Sequence, residues 1–159
     1  MKIFSFYKIE RIKNLKSLKI KIIKEIQKNN IKGLVILSKE GINATIAGNS
    51  KDISNIVKYI KLILNIKKFD IENITYSSFI PFLKAKVKIK NEVVPMDYNF
   101  SFKNKITKNY LSPKKWDNLL SQKNVKIVDA RKPFEYEVGT FKGAINPNTY
   151  KFREFKTYL

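Results

Sequence analysis

The stretch GLVILSKEGINATIAG, residues 33–48, decides the fold. It opens on four consecutive apolar residues, Leu34, Val35, Ile36 and Leu37, the pattern of a strand buried on both faces. Lys39, Glu40 and Gly41 come next as a turn, and residues 42–48 read as a second strand, so the pair predicts a hairpin. Glycine accepts positive φ and asparagine tolerates turn geometry, which makes Glu40-Gly41-Ile42-Asn43 a structural turn on the local reading. A second reading stays open beside it. Glu40 and Asn43 carry groups that can hydrogen-bond a base or a ribose lying near the turn.

Towards the N-terminus, residues 2–7 (KIFSFY) predict a short strand, because aromatic residues favour strands. Leu15, Leu18, Ile22 and Ile26 then recur at helical spacing until Asn29-Asn30 and Gly33 stop the helix. Towards the C-terminus, Asn49 or Ser50 can cap a second helix, with Asp52 in its first turn. Its buried stripe is Ile53, Ile56, Val57, Ile60, Ile63 and Leu64, and a strand comes after it over residues 71–76. The order strand, helix, strand, strand, helix, strand is the split βαβ, ferredoxin-like arrangement of the α+β class. Right-handed crossovers place both helices on one face of such a sheet.

Residues 82–90 (FLKAKVKIK) predict a further strand. Leu83, Ala85, Val87 and Ile89 alternate with Lys84, Lys86, Lys88 and Lys90, so one face is apolar and the other carries ammonium groups. Side chains on one face repeat every ~6.6–6.8 Å, a spacing along which a nucleic-acid backbone can be followed. An edge strand that uses lysines against sheet-to-sheet aggregation would look the same.

Composition narrows the chemistry. The 159 residues contain no cysteine and no histidine. That removes disulfides, thiolate or imidazole metal sites and Ser-His or Cys-His nucleophile pairs. With 13 scattered Asp and Glu residues, no metal site is expected. The formal net charge of +20 attracts polyanions. Of the 33 basic residues only Arg11, Arg131 and Arg153 are arginines, a Lys-heavy mix that an AT-rich genome also produces, so position has to decide. No apolar run approaches the ~20 residues of a membrane span, and the expectation is a soluble cytoplasmic protein without a membrane partner.

Residues 95–112 lack apolar periodicity and read as a linker. The domain reading is a ferredoxin-like unit over 1–94, a linker and short helix over 95–119, and a further α/β part over 120–159. Ser112-Pro113 starts the short helix, with Trp116, Leu119 and Leu120 on its apolar side. Residues 125–131 (VKIVDAR) predict a strand that ends in Asp129-x-Arg131. That is the end of a parallel strand where sites form, although a structural ion pair shaping the next loop fits equally. Glu135 and Glu137 fit a solvated helix start better than an acid/base pair. Phe4, Phe6, Tyr7 and Tyr76 can stack on bases, but core packing is the simpler role for most of them.

Two segments together resemble one family. Glu40-Gly41-Ile42-Asn43-Ala44-Thr45 looks like the signature turn and strand of the N-terminal domain of the rhodanese-domain tRNA wobble-uridine hydroxylases, the TrhO family. Residues 128–148 (VDARKPFEYEVGTFKGAINPN) resemble the opening of that family's rhodanese domain, and Phe152-Arg153-Glu154-Phe155 resembles the next segment of that domain. The resemblance implies oxygen-dependent hydroxylation of the wobble uridine at carbon five. Molecular oxygen would be the co-substrate, with no other cofactor evident, and tRNA the partner. It implies a catalytic cysteine in a loop of the rhodanese domain, expected beyond Leu159, so that no catalytic residue lies in these residues. Lys84, Lys86, Lys88 and Lys90, with Glu40 and Asn43, would then hold the tRNA, and Asp129 and Arg131 would shape the catalytic loop.

About forty residues cannot close an α/β core, so residues 120–159, read as the truncated start of a rhodanese domain, are expected to be partly exposed or to complete their fold with further sequence. A non-enzymatic RNA-binding module, favoured by the absence of cysteine, and a fragment of a rhodanese-type sulfurtransferase remain as alternatives. Acylphosphatase activity is not expected, because the loop over residues 7–11 lacks glycines to cradle a phosphate.

Overall fold

The computed structural model describes residues 1–94 and 111–158. Contacts divide the chain into two units, Met1–Val94 and Pro95–Leu159. The expected linker over 95–112 lies almost entirely outside the described residues.

In the first unit the elements run β1 (Lys2–Ile9), α1 (Leu15–Lys28), β2 (Lys32–Ser38), β3 (Gly41–Gly48), α2 (Ser50–Ile63), β4 (Ile71–Tyr76) and β5 (Ala85–Ile89). The sheet order is β4-β1-β3-β2-β5. The first four strands pair antiparallel, and β5 joins β2 in parallel. This is the ferredoxin-like α+β arrangement expected from the pattern, with a fifth strand added beside β2.

Register explains how the core forms. Phe4 and Phe6 lie opposite Ile46 and Ala44, while Val35 and Leu37 lie opposite Ala44 and Ile42. Those side chains meet Ile22 and Ile26 of α1 and Ile53, Ile56 and Ile60 of α2 in one buried cluster. Both helices therefore cover the same face. Phe69, just before β4, closes the cluster by stacking on Phe6 at 4.2 Å between ring centroids. The run Leu34 to Leu37 alternates in fact: Val35 and Leu37 are fully buried, and Leu34 and Ile36 are half-buried on the other face. Asn49 caps α2 by accepting from the Asp52 N–H at 2.8 Å.

Two glycines are set by close approach. A Cβ at Gly41 (φ +153) would run into the carbonyl of Lys8, and one at Gly33 (φ +129) into the carbonyl of Thr45. The hairpin turn needs the first, because Glu10 and Ile12 also donate to the carbonyls of Glu40 and Lys39 there.

The second unit holds α3 (Pro113–Leu120), α4 (Pro133–Val138), a short 3-10 turn at Phe152–Glu154 and α5 (Phe155–Tyr158). Ser112 caps α3 and Pro113 occupies its first turn, as the sequence predicts. The strand predicted over 125–131 is reduced to one parallel bridge, Val128 to Ile145. A strand exists only through a partner's ladder, and among the described residues the ladder is that single bridge. Val138, Phe134 and Phe141 are 88%, 60% and 54% exposed.

Candidate nucleic-acid interface and loop clamp

The lysine row lies at a sheet edge. β5 begins at Ala85 and ends at Ile89, shorter than the predicted 82–90, so Lys86 and Lys88 sit within it and Lys84 and Lys90 flank it. The Lys84 carbonyl accepts from Gly33 at 3.2 Å, and the Lys90 N–H donates to Leu37 at 2.9 Å, so backbone pairing with β2 continues past both ends. Val87 is buried against the helices, and Lys86 and Lys88 on the opposite side are exposed. All four lysines are exposed. Position on an edge strand also suits protection against aggregation, since edge protection and phosphate contact ask for the same residues.

Glu40 and Asn43 separate in role. One Glu40 carboxylate oxygen accepts from the Val93 N–H at 3.2 Å, so the side chain anchors the chain leaving β5. The Glu40 N–H donates to the buried Ser38 hydroxyl at 3.0 Å. Asn43 is half-buried on the sheet face away from the helices, between Tyr7 of β1 and Ile36 of β2. On the same face the Ser5 and Thr45 hydroxyls pair across strands at 3.1 Å. Of the aromatic residues, Phe4 and Phe6 are core, and Tyr76 is 74% exposed.

Asp129 and Arg131 form a clamp within the second unit. Arg131 Nε donates to Asp129 Oδ1 at 2.9 Å and Nη2 donates to Oδ2 at 2.6 Å, the two-pronged geometry that suits guanidinium and carboxylate. Arg131 Nη2 also donates to the Gly139 carbonyl at 2.6 Å, and Thr140 Oγ1 donates to Asp129 Oδ2 at 2.8 Å. The Arg131 hydrogen bonds, helped by Thr140, hold the Asp129 carboxyl well below the usual carboxylate range, against the opposing pull of partial desolvation. Asn146 completes the closure by donating to the carbonyls of Asp129 and Arg131 at 3.2 and 3.0 Å. Tyr136 donates to the Ala144 carbonyl at 2.9 Å. The clamp borders a cleft of about 520 Å³ lined by Trp116, Val128, Asp129, Arg131, Thr140 and Phe141, among others.

Sequence reasoning identifies Asp129 and Arg131 but not Thr140 or Asn146 as their partners. Both lie in the 128–148 motif, yet nothing in one sequence marks which of its polar residues turn inward. The lysine edge lies in the first unit and the clamp in the second.

The first unit is thus a ferredoxin-like α+β domain with a basic edge. The chain belongs to the UPF0176 acylphosphatase like domain family, whose model matches residues 1–93. It is also 50% identical over 157 residues to the tRNA uridine(34) hydroxylase of Pelagibacter ubique (strain HTCC1062), across 99% of this chain and 52% of that protein. The chain spans about half the length of that curated relative. Among solved structures, an acylphosphatase from Bacillus subtilis matches 57% of this chain and 99% of its own at 14% identity, with a TM-score of 0.41. A bacterial light-regulated adenylyl cyclase matches 65% of this chain and 30% of its own at 18% identity, with a TM-score of 0.43.

Proposed function

We propose that the chain serves the oxygen-dependent hydroxylation of the wobble uridine of tRNA at carbon five, and that its first unit grips the tRNA. The observation that carries the reading is the 50% identity, sustained over 157 residues, to a tRNA uridine(34) hydroxylase. The net charge of +20 supports a polyanionic substrate. In this reading Lys84, Lys86, Lys88 and Lys90 contact tRNA phosphates, Asn43 contacts a base or ribose, and Glu40 supports the turn beside them. Asp129 and Arg131 shape a loop of a rhodanese domain. Its reactive cysteine is not among these residues, which contain none. Molecular oxygen is the co-substrate. The work is done in the cytoplasm, and no helix among the described residues is long and apolar enough to cross a membrane.

The test is genetic and chemical. Disrupting the gene that encodes this chain, digesting the cell's tRNA to nucleosides and measuring them by mass spectrometry should reveal a fall in 5-hydroxyuridine and its derivatives. Reintroducing the intact gene should restore them. Unchanged nucleosides in the disrupted strain would reject the reading. A non-enzymatic RNA-binding module is the second reading, favoured by the absence of cysteine from these residues. It predicts tRNA binding with no change in the nucleosides.

A further inference from the structure

Two rows of side chains cross the sheet on the face that the helices leave. Register places Thr45 of β3 beside Leu34 of β2 and Leu34 beside Lys86 of β5. Two residues along, Asn43 stands beside Ile36 and Ile36 beside Lys88. Each row therefore runs from a polar group through an aliphatic one to an ammonium at the edge. Neighbouring strands lie ~4.8 Å apart, so each row spans roughly 9.6 Å, about the reach from base to phosphate in one nucleotide. Rows on one face repeat every ~6.6–6.8 Å. Thr45, Asn43, Leu34 and Ile36 are half-buried, and Lys86 and Lys88 are exposed. Among the described residues of this unit no helix packs on this face, since α1 and α2 share the other. No strand residue pointing this way is acidic: Glu72 lies opposite Phe6, on the helix side, and pairs with Lys61 of α2 at 3.1 Å.

We propose that this face of the sheet seats unpaired nucleotides of RNA, with bases over the Asn43 and Thr45 end of the rows and phosphates at Lys86 and Lys88. The inference rests on the tRNA reading above and specifies the surface and the form of RNA it takes. Duplex RNA has its base-pairing edges occupied, and sequence recognition of RNA therefore falls on unpaired bases. An asparagine amide offers a donor and an acceptor together, which complements the adjacent acceptor and donor of an unpaired uracil. The aliphatic middle of each row gives a sugar or base an apolar bed, and the ammonium edge meets the phosphate. An apolar protein partner fits worse, because covering the face would strip water from two lysines and from the Asn43 amide.

Fluorescence anisotropy on the full 159-residue chain tests this with three labelled RNAs: a U-rich hexanucleotide, a short duplex and whole tRNA. Lys86→Ser/Lys88→Ser should weaken hexanucleotide binding about tenfold and flatten its salt dependence. Asn43→Ala should weaken it by about five- to tenfold while leaving the salt slope as it is. Lys16→Ser/Lys24→Ser removes the same charge from the exposed side of α1 and should have a smaller effect than the β5 pair. Thermal melts matching the unsubstituted chain establish that each variant folds. The proposal is overturned if the duplex binds as well as the hexanucleotide, or if the α1 pair costs as much as the β5 pair. It is also overturned, with the tRNA reading intact, if tRNA binds but the hexanucleotide does not. Failure of tRNA itself to bind rejects the tRNA reading and this proposal together.

Discussion

At the scale of single residues, backbone contact and charge pairing decide what each position tolerates. Gly41 sits where β1 passes so close that no Cβ fits. Gly41→Ala should lower stability by about 2–4 kcal/mol, from positive-φ strain and displaced backbone, read as a shift in the urea midpoint. Asp129 makes a different prediction. Its folded pKa lies below the ordinary carboxylate value, so the stabilisation it supplies is complete above about pH 3.9 and is lost only as pH falls through the depressed value. Trp116, the one tryptophan, packs edge-on against Phe141 at 5.8 Å between ring centroids and reports on this region. Its emission should stay constant from pH 7 down to about 4 and change below that, into the depressed range. In Asp129→Asn the emission should already differ at pH 7. A titration centred at an ordinary carboxylate value would contradict the clamp.

At the scale of elements, the periodicity of the chain translates directly into structure wherever a segment is amphipathic on its own. The isoleucines of α2 recur at helical spacing, and Ile53, Ile56 and Ile60 are the ones buried. Ile56→Ala should cost about 2–5 kcal/mol by denaturant melt, because it opens a cavity between helix and sheet. The β2–β3 hairpin is legible for the same reason, since a turn with Gly41 joins two apolar runs. The parallel pairing of β5 with β2 is not, because parallel neighbours are far apart in sequence and local pattern carries no partner. The strand predicted over 125–131 fails at this scale too: VKIV has strand composition, but a composition becomes a strand only where a ladder forms. For the candidate site, the alternation of lysines over 84–90 is readable from period two, and Asp129 and Arg131 from their position after an apolar run. Glu40's hold on Val93 and Thr140's bond to Asp129 depend on side chains folding back across many residues, which spacing does not encode.

At the scale of the whole chain, two compact units carry different burdens. The first has a closed core built from a sheet and two helices, with lysines at its β5 edge. The second ties a loop together with one carboxylate and one guanidinium while leaving much apolar surface exposed. A net charge of +20 gives the chain a field that draws in any polyanion, so charge by itself does not distinguish specific grip from general attraction. The distinction lies in which lysines carry the salt dependence.

The decisive experiment is therefore the affinity of the chain for tRNA over a range of salt, for the unsubstituted protein and for one with Lys84, Lys86, Lys88 and Lys90 all changed to serine. Each phosphate contact contributes about 0.7–0.9 to the slope of log affinity against log salt. A grip by the β5 edge predicts steep salt dependence in the first protein and a slope shallower by roughly 2 to 4 in the second. Equal slopes in the two, or tRNA binding indifferent to salt, would contradict the claim that the β5 edge holds the RNA backbone.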